Sequence, residues 1–418
     1  MTMGELRQLH PANASSRMPR VLFSFPTRIG SPGIGLTAWH QVTGLAREGV
    51  EIHVVTGSVE REMPGAHVAR ETMRWRGQKI PYRLLGAENA AVFHDWQAAR
   101  LLRRMPGAFD LVHAWPAGAE RTLRAARSLG IPALLERPNS HTAYAFEVVE
   151  AECERIGIRL DRSSPHARNP RKLAREQREF AAADLLLCPS EFVASTHAER
   201  GEPESRLLRH RYGYDPARFH PATEPRASDE PLVVAFVGRL EPRKGVHHAL
   251  EAWRLAQLRP GARLILCGAL EPGYESVIGP LLDLAGVEFV GPVADPGALM
   301  RDIDALVLPT IEEGSALVTY EARGSGAIVL TTERSGAYAE HGHNALIHPV
   351  GDVEALADHY RLLDQDAELR GRLRANSLDG VEELSWQAAA REVLSAYRIA
   401  AARLGSGGRT AGAMSRGG

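Results

Sequence analysis

Cysteine is scarce: Cys153, Cys188 and Cys267 are the three in 418 residues, far apart and without a Cys-x-x-Cys spacing. That excludes a disulfide framework and a cysteine-based zinc site. Cys188 and Cys267 each close an apolar run (Leu185–Leu187 and Leu264–Leu266) and are expected as small buried hydrophobes in a reducing, cytoplasmic setting. Net charge is nearly absent too. Fifty Lys and Arg against 51 Asp and Glu leave a formal charge of -1, so no global field draws in nucleic acid or an anionic membrane, and nucleic acid is not an expected partner. No apolar run approaches the ~20 residues that span a bilayer. The first 18 residues are polar and lack the apolar centre of a signal peptide. They and the Gly/Ser-rich tail 405–418 are expected to be disordered. Asn13-Ala14-Ser15 spells a glycosylation sequon, which has no use without secretion.

What is present is ordinary globular composition, 44% hydrophobic and 24% charged, long enough for about two to three domains with cores of their own. Short apolar runs alternate with longer helical patterns, the signature of parallel α/β architecture. Val21–Phe25 is expected as the first strand, residues 28–35 as a Gly-rich loop, Trp39–Arg47 as a helix and Glu51–Thr56 as the next strand. Asp110–Trp115, Pro132–Leu135 and Asp184–Ser190 follow as strands, the last leading into a helix capped by Ser190 with Glu191 in its first turn. Residues 212–230, with Pro216, Pro221 and Pro225, form a polar linker. The alternation then restarts with Leu232–Gly238, Arg263–Gly268, Val287–Gly291, Ala305–Pro309 and Ala327–Thr331. The expected fold is two Rossmann-like doubly wound domains, over 19–222 and 230–385, facing across a cleft, with ligands beyond the carboxyl ends of the strands.

Two clusters offer chemistry. In the first, a strand ends at Gly238 and a tight loop brings Arg239 and Lys244 ahead of a helix starting near Gly245. Two cations there suit a diphosphate, whose charge grows as a glycosidic bond breaks; a solvated loop with surface charges is the alternative. In the second, Glu313 sits in the loop after Pro309 and Glu321 eight residues on, along a helix. Between them the backbone N–H groups of Gly314, Ser315, Ala316 and Leu317 would face a phosphate, and the two carboxylates would accept from vicinal hydroxyls. An acidic helix start complementing the helix dipole is the alternative, and it is the preferred account of Glu312.

Gly238-Arg239-Leu240 with Lys244-Gly245, then Glu-x7-Glu from Glu313 to Glu321, resembles family 4 of the retaining GT-B glycosyltransferases. Ala183-Asp184, Pro189-Ser190-Glu191, Gly213-Tyr214-Asp215 through Phe219-His220-Pro221, and Gly351-Asp352 agree in order, and the likeness runs over about residues 20 to 400. It implies a nucleotide-diphosphate-sugar donor, UDP-linked most often, with an unidentified small-molecule, glycan or lipid-linked acceptor. It implies an acceptor domain first, a donor domain second, and a last helix, 386–404, crossing back onto the first domain with Trp386 and Tyr397 as anchors. Arg239 and Lys244 would contact the diphosphate, Glu313 the transferred sugar and Glu321 the ribose. Metal and cofactor are not expected, since these cations and the helix start supply the positive charge and no Asp-x-Asp stands at a strand end.

Departures from the family pattern concern the donor sugar and the first domain. Ala316 stands where Gly or Pro is usual, and Ser335–Glu340 replaces a Gly-Gly-x-x-Glu. The catalytic histidine expected after a first-domain strand is displaced by Pro138; His141 and Arg137 are the candidates to face the cleft, against a structural role. His113 is a candidate acceptor-pocket residue, with a core histidine as competitor, and Gly33 and Gly35 are candidate close-approach glycines. The Arg-rich stretch 162–178 suits an anionic acceptor or peripheral membrane contact, though a solvated helix face is preferred. Two other functions stay open: a GT-B relative using a sugar nucleotide for epimerisation or pseudosugar coupling, and a non-catalytic nucleotide-sugar-binding scaffold. An NAD enzyme is not expected, because Gly30, Gly33 and Gly35 have the wrong spacing for the dinucleotide fingerprint.

Overall fold

The computed structural model describes residues 17–75, 78–80, 86–161, 164, 166–224, 226–227 and 229–405. The disorder expected for the termini therefore falls almost wholly outside the described residues, as do the sequon, Arg162 and Pro225.

The chain alternates as its hydrophobic pattern requires. The first half holds β1 (Arg20–Ile29), α1 (Ile34–Arg47), β2 (Glu51–Val59), β3 (His67–Glu71), β4 (Arg74–Trp75), β5 (Gln78–Lys79), α2 (Ala87–Arg104), β6 (Leu111–Ala114), α3 (Glu120–Ser128), β7 (Ala133–Glu136), α4 (Thr142–Arg155), α5 (Pro170–Ala182), β8 (Leu185–Cys188), α6 (Glu191–Ala198) and β9 (Leu207–Arg209). The second half holds β10 (Val233–Val237), α7 (Val246–Ala256), β11 (Arg263–Cys267), α8 (Glu275–Leu282), β12 (Val287–Phe289), α9 (Pro296–Arg301), β13 (Ala305–Leu308), α10 (Leu317–Gly324), β14 (Ile328–Thr332), β15 (Ala345–His348), α11 (Val353–Gln365), α12 (Ala367–Ser377) and α13 (Trp386–Gly405). Ser190 caps α6 as expected, its hydroxyl accepting from Val193 N–H at 3.1 Å. Helix α1 starts five residues earlier than the sequence pattern places it, because the chain turns at Gly30 and Gly33, both with positive φ.

The first sheet runs β3-β2-β1-β6-β7-β8-β9 and the second β12-β11-β10-β13-β14-β15. Each is wound outward in two directions from its first strand, the doubly wound arrangement. The middles of the central strands are buried, as in a parallel sheet covered on both faces: Val21, Leu22 and Phe23 in β1, and Ala305 through Leu308 in β13, expose nothing. The second core adds Phe236, Leu250, Tyr320 and Tyr360. Full burial of one such side chain contributes about 1.5–3 kcal/mol.

The described residues fall into two compact units. One draws on Met1–Glu136, Arg175–Leu186 and Ala390–Gly418, the other on Arg137–Ala174 and Leu187–Ala389. The division differs from the linker-based one. Residues 137–174 and 187–222 count with the second unit, and α13 passes to the first from Ala390 onward. The linker is itself pinned: Tyr214 N–H donates to Leu384 O at 3.0 Å, Trp386 N–H donates to Tyr214 O at 3.2 Å, and Tyr214 and Phe219 are buried in the second core. The three cysteines are free and buried, and no helix among the described residues is long and apolar enough to cross a membrane.

Candidate donor site

In the second unit β10 and β13 lie side by side, Val234 opposite Ala305, but their successors add to opposite flanks of the sheet. Loops leaving two such strands diverge and leave a crevice at the carboxyl ends. Both chemical clusters of the sequence are in these loops. The backbones touch: Ile311 N–H and the Thr310 hydroxyl each donate to Arg243 O at 2.9 Å. Gly245, at φ 68, comes so close that a Cβ on it would lie 2.0 Å from Pro309 O, which explains why no larger residue ends the cationic loop.

The charges interlock. Lys244 Nζ is 2.8 Å from Glu313 Oε1, and Arg243 Nη2 is 3.1 Å from the same oxygen. Arg243 also pairs with Glu241 at 3.0 Å and Glu312 at 3.5 Å, and donates to Glu312 O at 2.8 Å. Burial pushes the Glu313 carboxyl up, but Arg243 and Lys244 outweigh it and hold it well below the usual carboxylate range. Arg239 is the exposed member of the set; its side chain is half-exposed and its guanidinium pairs with Glu271. Gly238 packs beside Lys244, where a Cβ would be 3.3 Å from Nζ. Glu321, along α10, has no such compensation: burial lifts its carboxyl to about 7, against the opposing pull of Arg218 and Lys244.

Helix α10 begins at Leu317 after Ala316, which has no side chain to cap it. The N–H groups of Leu317 and Val318 then have no carbonyl one turn back. Ala316 differs from the expectation that its N–H faces a phosphate: it donates to Ser335 O at 3.1 Å. Ser315 gives its hydroxyl to a 2.9 Å contact with Tyr320 Oη. Gly314 is clamped from two sides. Its carbonyl accepts from Ser190 Oγ at 2.6 Å, and a Cβ on it would fall 1.8 Å from Pro138 O. The 137–141 loop thus lies directly against the Glu-bearing loop in the same unit, and Ser140 N–H donates to Glu312 Oε1 at 3.3 Å. Glu312 is accordingly not an exposed helix-start charge but a buried clamp, 2% exposed.

Other candidates are placed differently. His141 caps α4, its Nδ1 accepting from Ala143 N–H at 3.2 Å and its own N–H donating to Thr196 Oγ1 at 3.0 Å. Arg137 is interior, its Nε 3.4 Å from His197 Nε2; burial and then the Arg137 charge push that histidine down to about 2, so it stays neutral and can accept. His113 is an interior residue. It is fully buried in the first unit, with Nδ1 2.7 Å from Tyr397 Oη and Nε2 3.1 Å from Glu136 Oε2, the core histidine the competing account describes. Gly33 and Gly35 are also in the first unit, at the start of α1. Of the Arg-rich stretch, Arg168, ahead of α5, pairs with Glu150 at 2.7 Å, and Arg178, on α5, pairs with Glu120 at 2.9 Å.

Arg243 is the residue that sequence pattern alone passes over. Between Pro242 and Lys244 it looks like one more surface charge, yet it is 8% exposed. The available signal was acidic: Glu241, Glu312 and Glu313 in converging loops need a buried counter-cation.

Comparison with known proteins agrees with this geometry. Residues 231–366 match the family model described as glycosyl transferases group 1, and residues 32–220 match that of glycosyltransferase family 4. The D-inositol 3-phosphate glycosyltransferase of Corynebacterium glutamicum is 26% identical over 91% of this chain and 94% of its own. Among solved structures, sucrose-phosphate synthase from Thermosynechococcus elongatus superposes with a TM-score of 0.67 at 19% identity, covering 93% of this chain and 100% of that one. HepE of Anabaena, in complex with UDP-glucose, superposes with a TM-score of 0.59 at 18% identity over 93% and 100%. With a glycosyltransferase model on each half and two doubly wound sheets beneath them, this chain is a glycosyltransferase of the GT-B fold.

Proposed function

We propose that the chain transfers a sugar from a nucleoside-diphosphate sugar, UDP-linked, to an acceptor hydroxyl with retention of anomeric configuration, and that it does so without a metal on the diphosphate and without a cofactor. The observation that carries this is the Arg243–Glu313–Lys244 cluster at the strand ends of β10 and β13. Glu313 has two cations. Arg243 is buried and fixed by three carboxylates, so Lys244 is free to turn to the diphosphate while Glu313 stays ionised to hold hydroxyls of the transferred sugar. Arg239, held by Glu271 on the exposed side, swings in as the second phosphate cation. The N–H groups at the start of α10 add a partial positive charge, and Glu321 accepts from the ribose hydroxyls.

In the reaction, the bond between the anomeric carbon and the phosphate oxygen breaks, and the acceptor oxygen bonds to that carbon from the same face. The acceptor proton goes to the departing phosphate oxygen. A Glu313 held ionised between two cations is a poor base, which leaves proton removal to the leaving group. Arg239, Lys244 and the α10 start stabilise the charge that grows on the diphosphate. His141, on the loop against Glu312, is retained as the candidate to position the reacting sugar. The domain roles follow: residues 230–385 bind the donor, and 19–222 with the returning helix bind the acceptor. The name of the Corynebacterium relative makes a phosphorylated cyclitol the first acceptor to screen, ahead of glycans and lipid-linked sugars. A cytoplasmic location, with peripheral membrane contact if the acceptor is lipid-linked, fits these substrates.

Calorimetric titration with UDP, GDP and ADP in EDTA, on wild type and Lys244→Ala, tests the donor assignment. Micromolar binding of UDP that the variant loses supports it; no binding of any of the three overturns it. NMR of the anomeric proton in the first product formed decides retention, and interconversion of the donor sugar without acceptor would point to epimerisation instead.

A further inference from the structure

Apart from the donor loops, three side chains each bring a potential ligand atom to one place. Glu152 lies in the last turn of α4, and His247 and His248 in the first turn of α7. Their ligand atoms all lie within 4.8 Å of one another: Glu152 Oε1 is 2.6 Å from His247 Nε2 and 3.2 Å from His248 Nε2. A cationic nitrogen already sits among them. Arg155 Nη2 is 3.0 Å from His247 Nε2, 2.9 Å from His248 Nε2 and 2.5 Å from Glu152 Oε1. A carboxylate oxygen only accepts, so in the 2.6 Å contact the His247 Nε2 proton points at Glu152, and it is this proton that a metal ion would replace.

The surroundings fix that arrangement. His247 Nδ1 is 2.5 Å from Tyr274 Oη, which also accepts from the His247 backbone N–H at 3.0 Å. A hydrogen bond on the far ring nitrogen is what orients a metal-ligating histidine and sets its tautomer. His247 exposes nothing and Tyr274 1% of its surface, so these parts cannot drift. Arg155 is the movable piece, with its side chain 51% exposed.

We propose that Glu152, His247 and His248 bind a divalent transition-metal ion of the zinc type, which displaces Arg155 and ties α4 to α7. Two imidazoles and one carboxylate are a zinc-type donor set, and bonds of about 2.0–2.2 Å place tetrahedral ligand atoms roughly 3.3 Å apart. Glu152 and His247 therefore separate by about 0.7 Å on metal binding, and the Glu152–His248 spacing already fits. The fourth position is left to water. The ion is structural: it holds the start of the helix that follows the Lys244-Gly245 turn, and it has no part in the metal-free handling of the diphosphate.

The test uses full-length, tag-free protein stripped with EDTA and desalted, titrated with Zn2+ and with Co2+. One equivalent bound, a rise in the thermal midpoint of at least about 3 °C and a four-coordinate Co2+ absorption band are expected. Glu152→Gln, at a partly exposed position, should weaken binding at least ~30-fold, and Arg155→Ala, which removes the competing cation, should tighten it about tenfold. Absence of stoichiometric binding in both wild type and Arg155→Ala, or equal binding by Glu152→Gln, overturns the site and leaves Arg155 as the resident cation. UDP binding measured in EDTA reports on the donor assignment separately, so the two fail independently.

Discussion

The two sheets share one winding order but do opposite things with it. In the first unit the strands β6 and β7, on the far side of the switch point from β1, carry His113 and Glu136. Both are wholly buried and satisfied by each other, by Gln41 and by Tyr397 from the last helix. In the second unit the matching loops after β10 and β13 carry Arg243, Lys244 and Glu313 in a cluster where the Glu313 carboxylate faces two cations. The same topology is used once to build a closed polar core and once to keep charge available. Strand order nominates a place for a ligand; the side chains decide whether that place is filled from within.

Substitutions can break the contrast. The largest effect is expected for Arg243→Ala, which strands Glu241, Glu312 and Glu313 in the interior; removing one partner of a buried pair costs about 3–5 kcal/mol, to be seen in chemical denaturation. Lys244→Ala and Glu313→Ala should each lower turnover at least ~100-fold in an initial-rate assay, on the scale of one lost transition-state charge contact, with a smaller loss of stability than Arg243→Ala. Near-normal turnover by either would remove the site.

The next effect is in pH. Burial raises the Glu321 carboxyl to about 7, and ribose hydroxyls need the carboxylate as acceptor. UDP affinity should then be flat above pH 7 and fall about tenfold per unit below it, a slope that Glu321→Gln abolishes. In the unliganded protein the sign is reversed. A raised pKa stabilises the fold at low pH, and that contribution is lost as pH rises through about 7. Wild type should therefore lose thermal stability relative to Glu321→Gln between pH 5 and 8. The smallest effect sharpens the comparison from the other side: Tyr397→Phe deletes one buried hydrogen bond in the first unit and should cost about 1 kcal/mol, with UDP affinity unchanged.

Much of the site was legible because its residues are close in sequence to strand ends. Gly238 through Gly245 and Glu313 through Glu321 announce themselves by spacing, and the short apolar runs locate five of the six strands of the second sheet to within a residue or two, missing the edge strand β15. What spacing does not carry is who neutralises whom. Arg243 and Glu312 look like surface charges in a linear pattern, and only the contact of two loops 69 residues apart buries them together. The N–H of Ala316 looks free because its acceptor, Ser335 O, belongs to a loop whose departure from the family pattern gave no hint of where its carbonyls point. The partners of His113 are hidden for a related reason. Alternation marks it as the end of a strand, but its Tyr397 partner is 284 residues away.

The sequence by itself determined the periodicities, and with them the parallel α/β class, the order of strands and the loops able to hold phosphate, because burial on both faces of a strand is a local property of its residues. The tertiary structure alone decided which charges are sealed and which remain available. Desolvation and ion pairing depend on atoms brought within about 4 Å, and those come from distant parts of the chain.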